Sequence, residues 1–155
     1  MKGQQQIIDT LNSLLADELT AINQYMVHAE MCDSWGYSRL NEMVEKRAIT
    51  EMKHAEKLIA RILFLEGTPI VSNLRQMHIG ADVLKQFQND HKAEEDAIKA
   101  YNAGIRQAGE LGDNGTRELL AAIIQDEEAH IDEIEEQMDQ IEHMGIGLYL
   151  SEQVG

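Results

Sequence analysis

Glu18-Leu-Thr-Ala-Ile-Asn-Gln-Tyr25 returns 76 residues later as Glu94-Glu-Asp-Ala-Ile-Lys-Ala-Tyr101, with Glu, Ala, Ile and Tyr in register. The same offset carries Glu51-Met-Lys-His54 onto Glu127-Glu-Ala-His130. In each half the lone Glu precedes the Glu-x-x-His by 33 residues. A self-match of this kind implies two equivalent structural units. Each Glu-x-x-His puts a carboxylate and an imidazole one turn apart on one helix face. Either pair alone would pass for a solvated face in so acidic a chain. Three positions matching across one offset would not.

Apolar residues around these stretches repeat at helical spacing, first at Ile7, Ile8, Leu11, Leu14, Leu15, Leu19, Ile22 and Met26. A first helix is predicted over about 4–33, with a break and an N-cap at Asp33-Ser34. A second should run over about 35–65, stopped by Glu66-Gly-Thr-Pro69. Residues 67–81 lack periodicity and read as a long connection. Asp82 is a plausible N-cap for a third helix to about 111. The cluster Gly112-Asp-Asn-Gly115 reads as a tight turn before a fourth helix over about 116–144. A short fifth is expected over 146–152.

Lengths then choose the topology. A helix of about 28 residues spans roughly 42 Å. The first and last long links are short, so each pair folds as an antiparallel hairpin. The middle link of about 15 residues, at roughly 3.3 Å each, can run the length of the bundle. The expected fold is all-α: one domain over residues 1–155, a ferritin-like four-helix bundle with a long crossover.

Sparse strand formers and a single proline agree with helices throughout. A net charge of −15 argues against a nucleic-acid partner and suits a surface that attracts cations. Cys32 is the only cysteine, which excludes an intrachain disulfide and suggests a reducing compartment. The opening residues lack a signal peptide's apolar run and cleavage site, and no segment is long and apolar enough to span a bilayer. The expectation is a soluble, cytoplasmic protein without membrane contact.

Glu18 shares the apolar stripe of Leu11, Leu14, Leu15, Ile22 and Tyr25, where an unpaired carboxylate costs several kcal/mol. Four carboxylates meeting in the core would repel one another unless cations sat among them. Two divalent ions would leave the four Glu neutralised. Oxygen ligands with one imidazole per metal suit iron or manganese, and zinc could compete. This is the ligand set of di-iron carboxylate bundles. On that pattern Glu18 and His54 hold one metal, Glu94 and His130 hold the other, and Glu51 and Glu127 bridge. Tyr101 is expected to be a core aromatic with a satisfied hydroxyl. Tyr25 is expected either in that role or bonded to a ligand, where it could donate an electron.

Further stretches make the resemblance specific. Met1-Lys-Gly3, Glu18 to Tyr25, Glu51-Met-Lys-His-Ala-Glu56, Arg61-Ile-Leu-Phe-Leu-Glu-Gly67 and Asp126-Glu-Glu-Ala-His-Ile-Asp132 are similar to the bacterioferritins, and the similarity covers essentially the whole chain. It implies a hollow homo-oligomeric shell of about twenty-four subunits that oxidises Fe(II) with dioxygen or hydrogen peroxide and stores ferric mineral. It also implies haem b between two subunits, with Met52 as axial ligand and Leu19, Ile22, Asn23 and Ile49 around it. Met52 follows Glu51 by one residue and so points about 100° away from the metal face. An iron–sulfur ferredoxin would then supply electrons through the haem for iron release. The short fifth helix would pack around a symmetry axis. One departure concerns helix two, where some members carry a His and an Asp that form an extra iron site. Lys46 and Thr50 stand there and would not hold iron comparably.

Two neighbouring families fit less well. Rubrerythrin-like peroxidases usually add a Cys-x-x-Cys domain, and this chain has one Cys. DNA-protecting small ferritins place their metal ligands at a subunit interface and lack the fifth helix. A non-catalytic helical scaffold leaves the repeat unexplained.

Overall fold

The computed structural model describes residues 1–155 as five helices: α1 Gln5–Ser34, α2 Ser38–Phe64, α3 Val83–Glu110, α4 Asn114–Met144 and α5 Ile146–Ser151. The helix α1 packs along α2 and α3 along α4, and the two hairpins meet mainly through α1 and α3. Residues 65–82 form the crossover, giving the ferritin-like bundle with α2 and α3 on opposite corners.

The helix ends refine the sequence expectations. Helix α1 does not break at Asp33-Ser34. It continues through Ser34, and Gly36 makes the turn at φ 85°, a left-handed conformation natural to glycine. The N–H of Tyr37 donates to the Cys32 carbonyl at 2.9 Å, closing the helix end. Helix α2 therefore starts at Ser38, with Tyr37 before it and no side-chain cap. Asp82 does cap α3, accepting the Lys85 N–H at 2.8 Å. Asp113 caps α4 by accepting the Thr116 N–H at 3.0 Å, which starts that helix at Asn114. Gly67 is required for space, because a Cβ there would come within 2.8 Å of the Ile8 side chain.

The core is split along the bundle. At one end Leu11, Leu15, Leu58, Ile62, Leu120 and Ile123 are fully buried together. Each contributes about 1.5–3 kcal/mol on removal from water. At the other end Leu40, Phe87, Ile134 and Tyr149 form a second cluster. Tyr149 belongs to α5 and packs edge-on against Phe87 at 6.3 Å, with its hydroxyl donating to Gln137 Oε1 at 2.5 Å. The tail thus finds part of its partner surface within its own chain, while Ile146 and Leu148 stay exposed. Between the two apolar clusters lies a polar layer that no water-free core would tolerate without a purpose.

Candidate metal centre

The polar layer is built from one Glu on α1, Glu51 and His54 on α2, one Glu on α3, and Glu127 and His130 on α4. Glu18, Glu51, His54, Glu94 and Glu127 are at most 2% exposed, and His130 is 9% exposed. The candidate ligand atoms of Glu18, Glu51, His54 and Glu127 lie within 4.8 Å of one another, as do those of Glu51, Glu94, Glu127 and His130. Glu51 and Glu127 belong to both groups. His54 Nδ1 lies 3.6 Å from Glu18 Oε2 and 3.2 Å from Glu127 Oε1. His130 Nδ1 lies 3.4 Å from Glu94 Oε1 and 3.2 Å from Glu51 Oε1.

Hydrogen-bond accounting tests whether metal ions fit. Glu18 Oε2, Glu51 Oε1, His54 Nδ1, Glu94 Oε2, Glu127 Oε1 and His130 Nδ1 are buried with no hydrogen-bond partner. That is one orphan atom from each of the six residues. Buried polar groups are normally satisfied. A pair of cations would satisfy all six, so the donor set fits divalent metal.

The remaining atoms of these side chains are tied down. The Tyr25 hydroxyl donates to Glu94 Oε1 at 2.5 Å, and the Tyr101 hydroxyl donates to Glu18 Oε1 at 2.6 Å. Each tyrosine braces the lone Glu of the opposite half. Tyr101 is thus the core aromatic with a satisfied hydroxyl that was expected, and its partner is the Glu18 carboxylate. The reason is the crossing of α1 and α3, which brings each hydroxyl across the bundle. His54 Nε2 pairs with Asp126 Oδ2 at 2.8 Å, which leaves Nδ1 facing the carboxylates. His130 lacks this support. The repeat offset maps Asp126 onto Thr50, whose hydroxyl donates to the Lys46 carbonyl at 3.1 Å instead.

Without metal the layer is electrostatically frustrated. Burial, then the neighbouring Glu18 and Glu127, pushes Glu51 well above the ordinary carboxylate range. Burial also raises Glu127 to about 7, against the opposing pull of the His54 imidazole beside it. For His54, burial favours the neutral ring, but Glu127 and Glu18 outweigh it and hold the imidazole at about 10.

Four neighbours escaped the sequence reading. Arg47 is buried on α2 one turn before Glu51, its guanidinium 5.3 Å from the Tyr25 ring centroid and 3.6 Å from Asp90. Asp90 accepts from Gln24 Nε2 at 2.9 Å and pairs with His28 Nδ1 at 2.9 Å. Four-residue spacing from Glu51 and Glu94 was the available signal for Arg47 and Asp90.

Beside this layer, an apolar surface groove of about 310 Å³ runs between α1 and α2, lined by Ile22, Met26, Ala48, Ile49 and Met52 among others. Met52 is 42% exposed there. Leu19 and Asn23 do not line the groove, and Leu19 packs instead against the main apolar cluster.

Comparison with known proteins agrees with this architecture. The Ferritin-like domain family matches residues 8–144. Bacterioferritin of Streptomyces coelicolor is 40% identical over 151 residues, covering 97% of this chain and 90% of its own. Bacterioferritin of Brucella melitensis biotype 1 is 39% identical over 145 residues, covering 94% and 90%. That of Mycolicibacterium paratuberculosis is 37% identical over 149 residues, covering 96% and 94%. With that similarity along nearly its whole length, the chain belongs to the ferritin-like family, among the bacterioferritins.

Proposed function

We propose that this protein stores iron: it oxidises Fe(II) at the layer between the helices and holds the ferric product inside a homo-oligomeric shell. The six orphan atoms carry the reading, because they form two adjacent sets sharing Glu51 and Glu127. Glu18 and His54 bind one Fe(II), Glu94 and His130 bind the other, and Glu51 and Glu127 bridge them. Two Fe(II) release two electrons together. With two protons these reduce dioxygen to hydrogen peroxide, or hydrogen peroxide to two waters. The four carboxylates balance the charge of two Fe(II), and oxidation adds two positive charges that favour release of the ferric product. The tyrosines fix the lone Glu side chains so that little reorganises during electron loss.

The asymmetry between the imidazoles supports a direction of travel. His54 is pinned by Asp126, whereas His130 faces a pocket lined by Lys46, Arg47, Thr50 and Glu133. A ligand without an orienting partner swings more freely. Ferric product leaves on that side, and Lys46 and Thr50 replace any second iron site there.

A shell of about twenty-four copies in the cytoplasm is the working form. Exposed Ile146 and Leu148 on α5, and the groove at Met26, Ile49 and Met52, supply apolar surface for neighbouring copies. Iron loading of the purified protein followed by sedimentation tests this. Iron should travel with a large, uniform particle. A monomer or small oligomer at micromolar concentration would count against the shell.

Met52 and the apolar groove of each of two copies would hold haem b, which would supply a route for electrons from an iron–sulfur ferredoxin for iron release. Met52→Leu should remove the haem absorption bands. Fast Fe(II) oxidation should stay within about twofold of wild type, since separate sites act independently. Wild-type protein that takes up no added haem would contradict the assignment.

A further inference from the structure

A cavity of about 240 Å³ connects the surface to the carboxylate layer. Its floor includes Glu18, Glu51, Glu94 and Glu127, and Asp17, Arg75 and Asp96 also line it. One wall is the crossover, and that wall is held along its backbone. Thr20, Gln24 and His28 stand one turn apart on α1. Each accepts one crossover N–H: Arg75 to Thr20 Oγ1 at 2.8 Å, His78 to Gln24 Oε1 at 3.0 Å, and Gly80 to His28 Nε2 at 3.0 Å. All three acceptor residues are buried.

Against this fixed wall the Arg75 side chain lies along α1 at the edge of the cavity. Its Nε donates to Asp17 Oδ1 at 2.5 Å, and Nη2 donates to Ser13 Oγ at 2.8 Å. The Arg75 side chain is 53% exposed and that of Asp17 is 30% exposed. A guanidinium therefore sits as resident cation on a carboxylate next to Glu18, on the lining of the cavity that leads to the metal centre. Exposed pairs of this kind are weak and exchange readily. Since the backbone is fixed, the mobile part is the side chain.

We propose that Arg75 and Asp17 form a cation-exchange gate on the approach to the metal centre: an incoming divalent cation takes Asp17 from Arg75, then passes inward to Glu18 and Glu94. The gate rests on the metal-centre reading above. It sets the rate of arrival and leaves the affinity of the centre alone, because neither residue contributes a ligand atom to it. Removing Arg75 leaves an unpaired carboxylate that attracts cations. Removing the Asp17 charge leaves an unpaired guanidinium that repels them.

Anaerobic Co(II), a probe that binds without being oxidised, tests the gate in the full-length assembled protein through its ligand-field absorption. Arg75→Gln should raise the association rate by at least about threefold and Asp17→Asn should lower it by as much, both effects shrinking in high salt. Equilibrium affinity and the two-per-subunit stoichiometry should be unchanged. If wild-type protein binds two Co(II) but both variants bind at its rate, the gate is overturned and the centre stands. Two variants moving in the same direction would also overturn it, marking a loosened crossover instead. Wild-type protein that fails to bind Co(II) would remove the metal centre and the gate together.

Discussion

Replacing Glu94 by Ala should lower the initial rate of Fe(II) oxidation by at least about a hundredfold, while the helical circular dichroism stays that of wild type. Loss of a group that merely orients a metal ligand already costs about 10–100-fold. Glu94 is proposed as a direct ligand, and its loss also frees the Tyr25 hydroxyl that it now accepts. Helix α3 does not depend on it, being held by Phe87, Tyr101 and Ala108 in the apolar clusters. His130→Ala should behave alike, and Glu18→Ala should fail through the other metal. A second outcome separates this account from simple damage. The metal-free Glu94→Ala protein should melt at a higher temperature than metal-free wild type, because one of four facing carboxylates is gone. A variant with wild-type initial rates would sink the ligand assignment.

Metal-free protein should lose stability steeply as pH rises from 5 to 8.5, and redox-inert Zn(II) should flatten that slope. Glu127 is raised to about 7 and Glu51 is raised well above its ordinary value. The folded state therefore holds protons that the unfolded chain releases near 4.5. This stabilisation is full below that value and is lost as pH climbs through about 7. His54, raised to about 10, acts in the same sense: its contribution is complete below about 6.5 and disappears through about 10. Raised carboxylates of this kind are worth on the order of a few kcal/mol. In a chain of this size that is a fall in Tm of about 10 °C. Bound Zn(II) replaces the protons, and at a hundred times its Kd adds about 2.7 kcal/mol. The double variant Glu51→Gln, Glu127→Gln supplies the control and should lose most of the slope. A metal-free melting temperature that stays flat over this range in wild type would contradict the frustrated layer.

How much of this was legible in the sequence varies by feature and has physical reasons. The repeat picked out Glu18, Glu51, His54, Glu94, Glu127 and His130 as a group, because helical spacing and a common offset are properties of the chain itself. Asp82 marked a helix boundary since it meets a local backbone requirement. Ser34 misled because its capping chemistry stands three residues before the observed N-cap, Tyr37, while Gly36 supplied the conformation that the turn needed. Tyr101 was expected in the core with a satisfied hydroxyl, and only its partner was not legible. Its bond to Glu18 spans 83 residues, and periodicity says nothing about what crosses a bundle. The attachments of the crossover to Thr20, Gln24 and His28 were invisible for a similar reason, since that segment has no period to align.

The crossed tyrosine braces bear on how such a chain could arise. Tyr25 in the first half steadies Glu94 in the second, and Tyr101 in the second steadies Glu18 in the first. Neither hairpin holds a complete half of the layer by itself. If the 76-residue repeat records a duplicated gene, its single-hairpin ancestor had to pair with a copy of itself to brace its own carboxylate. Fusion then made that partnership permanent and freed the halves to diverge, as Asp126 and Thr50 have done behind the two imidazoles.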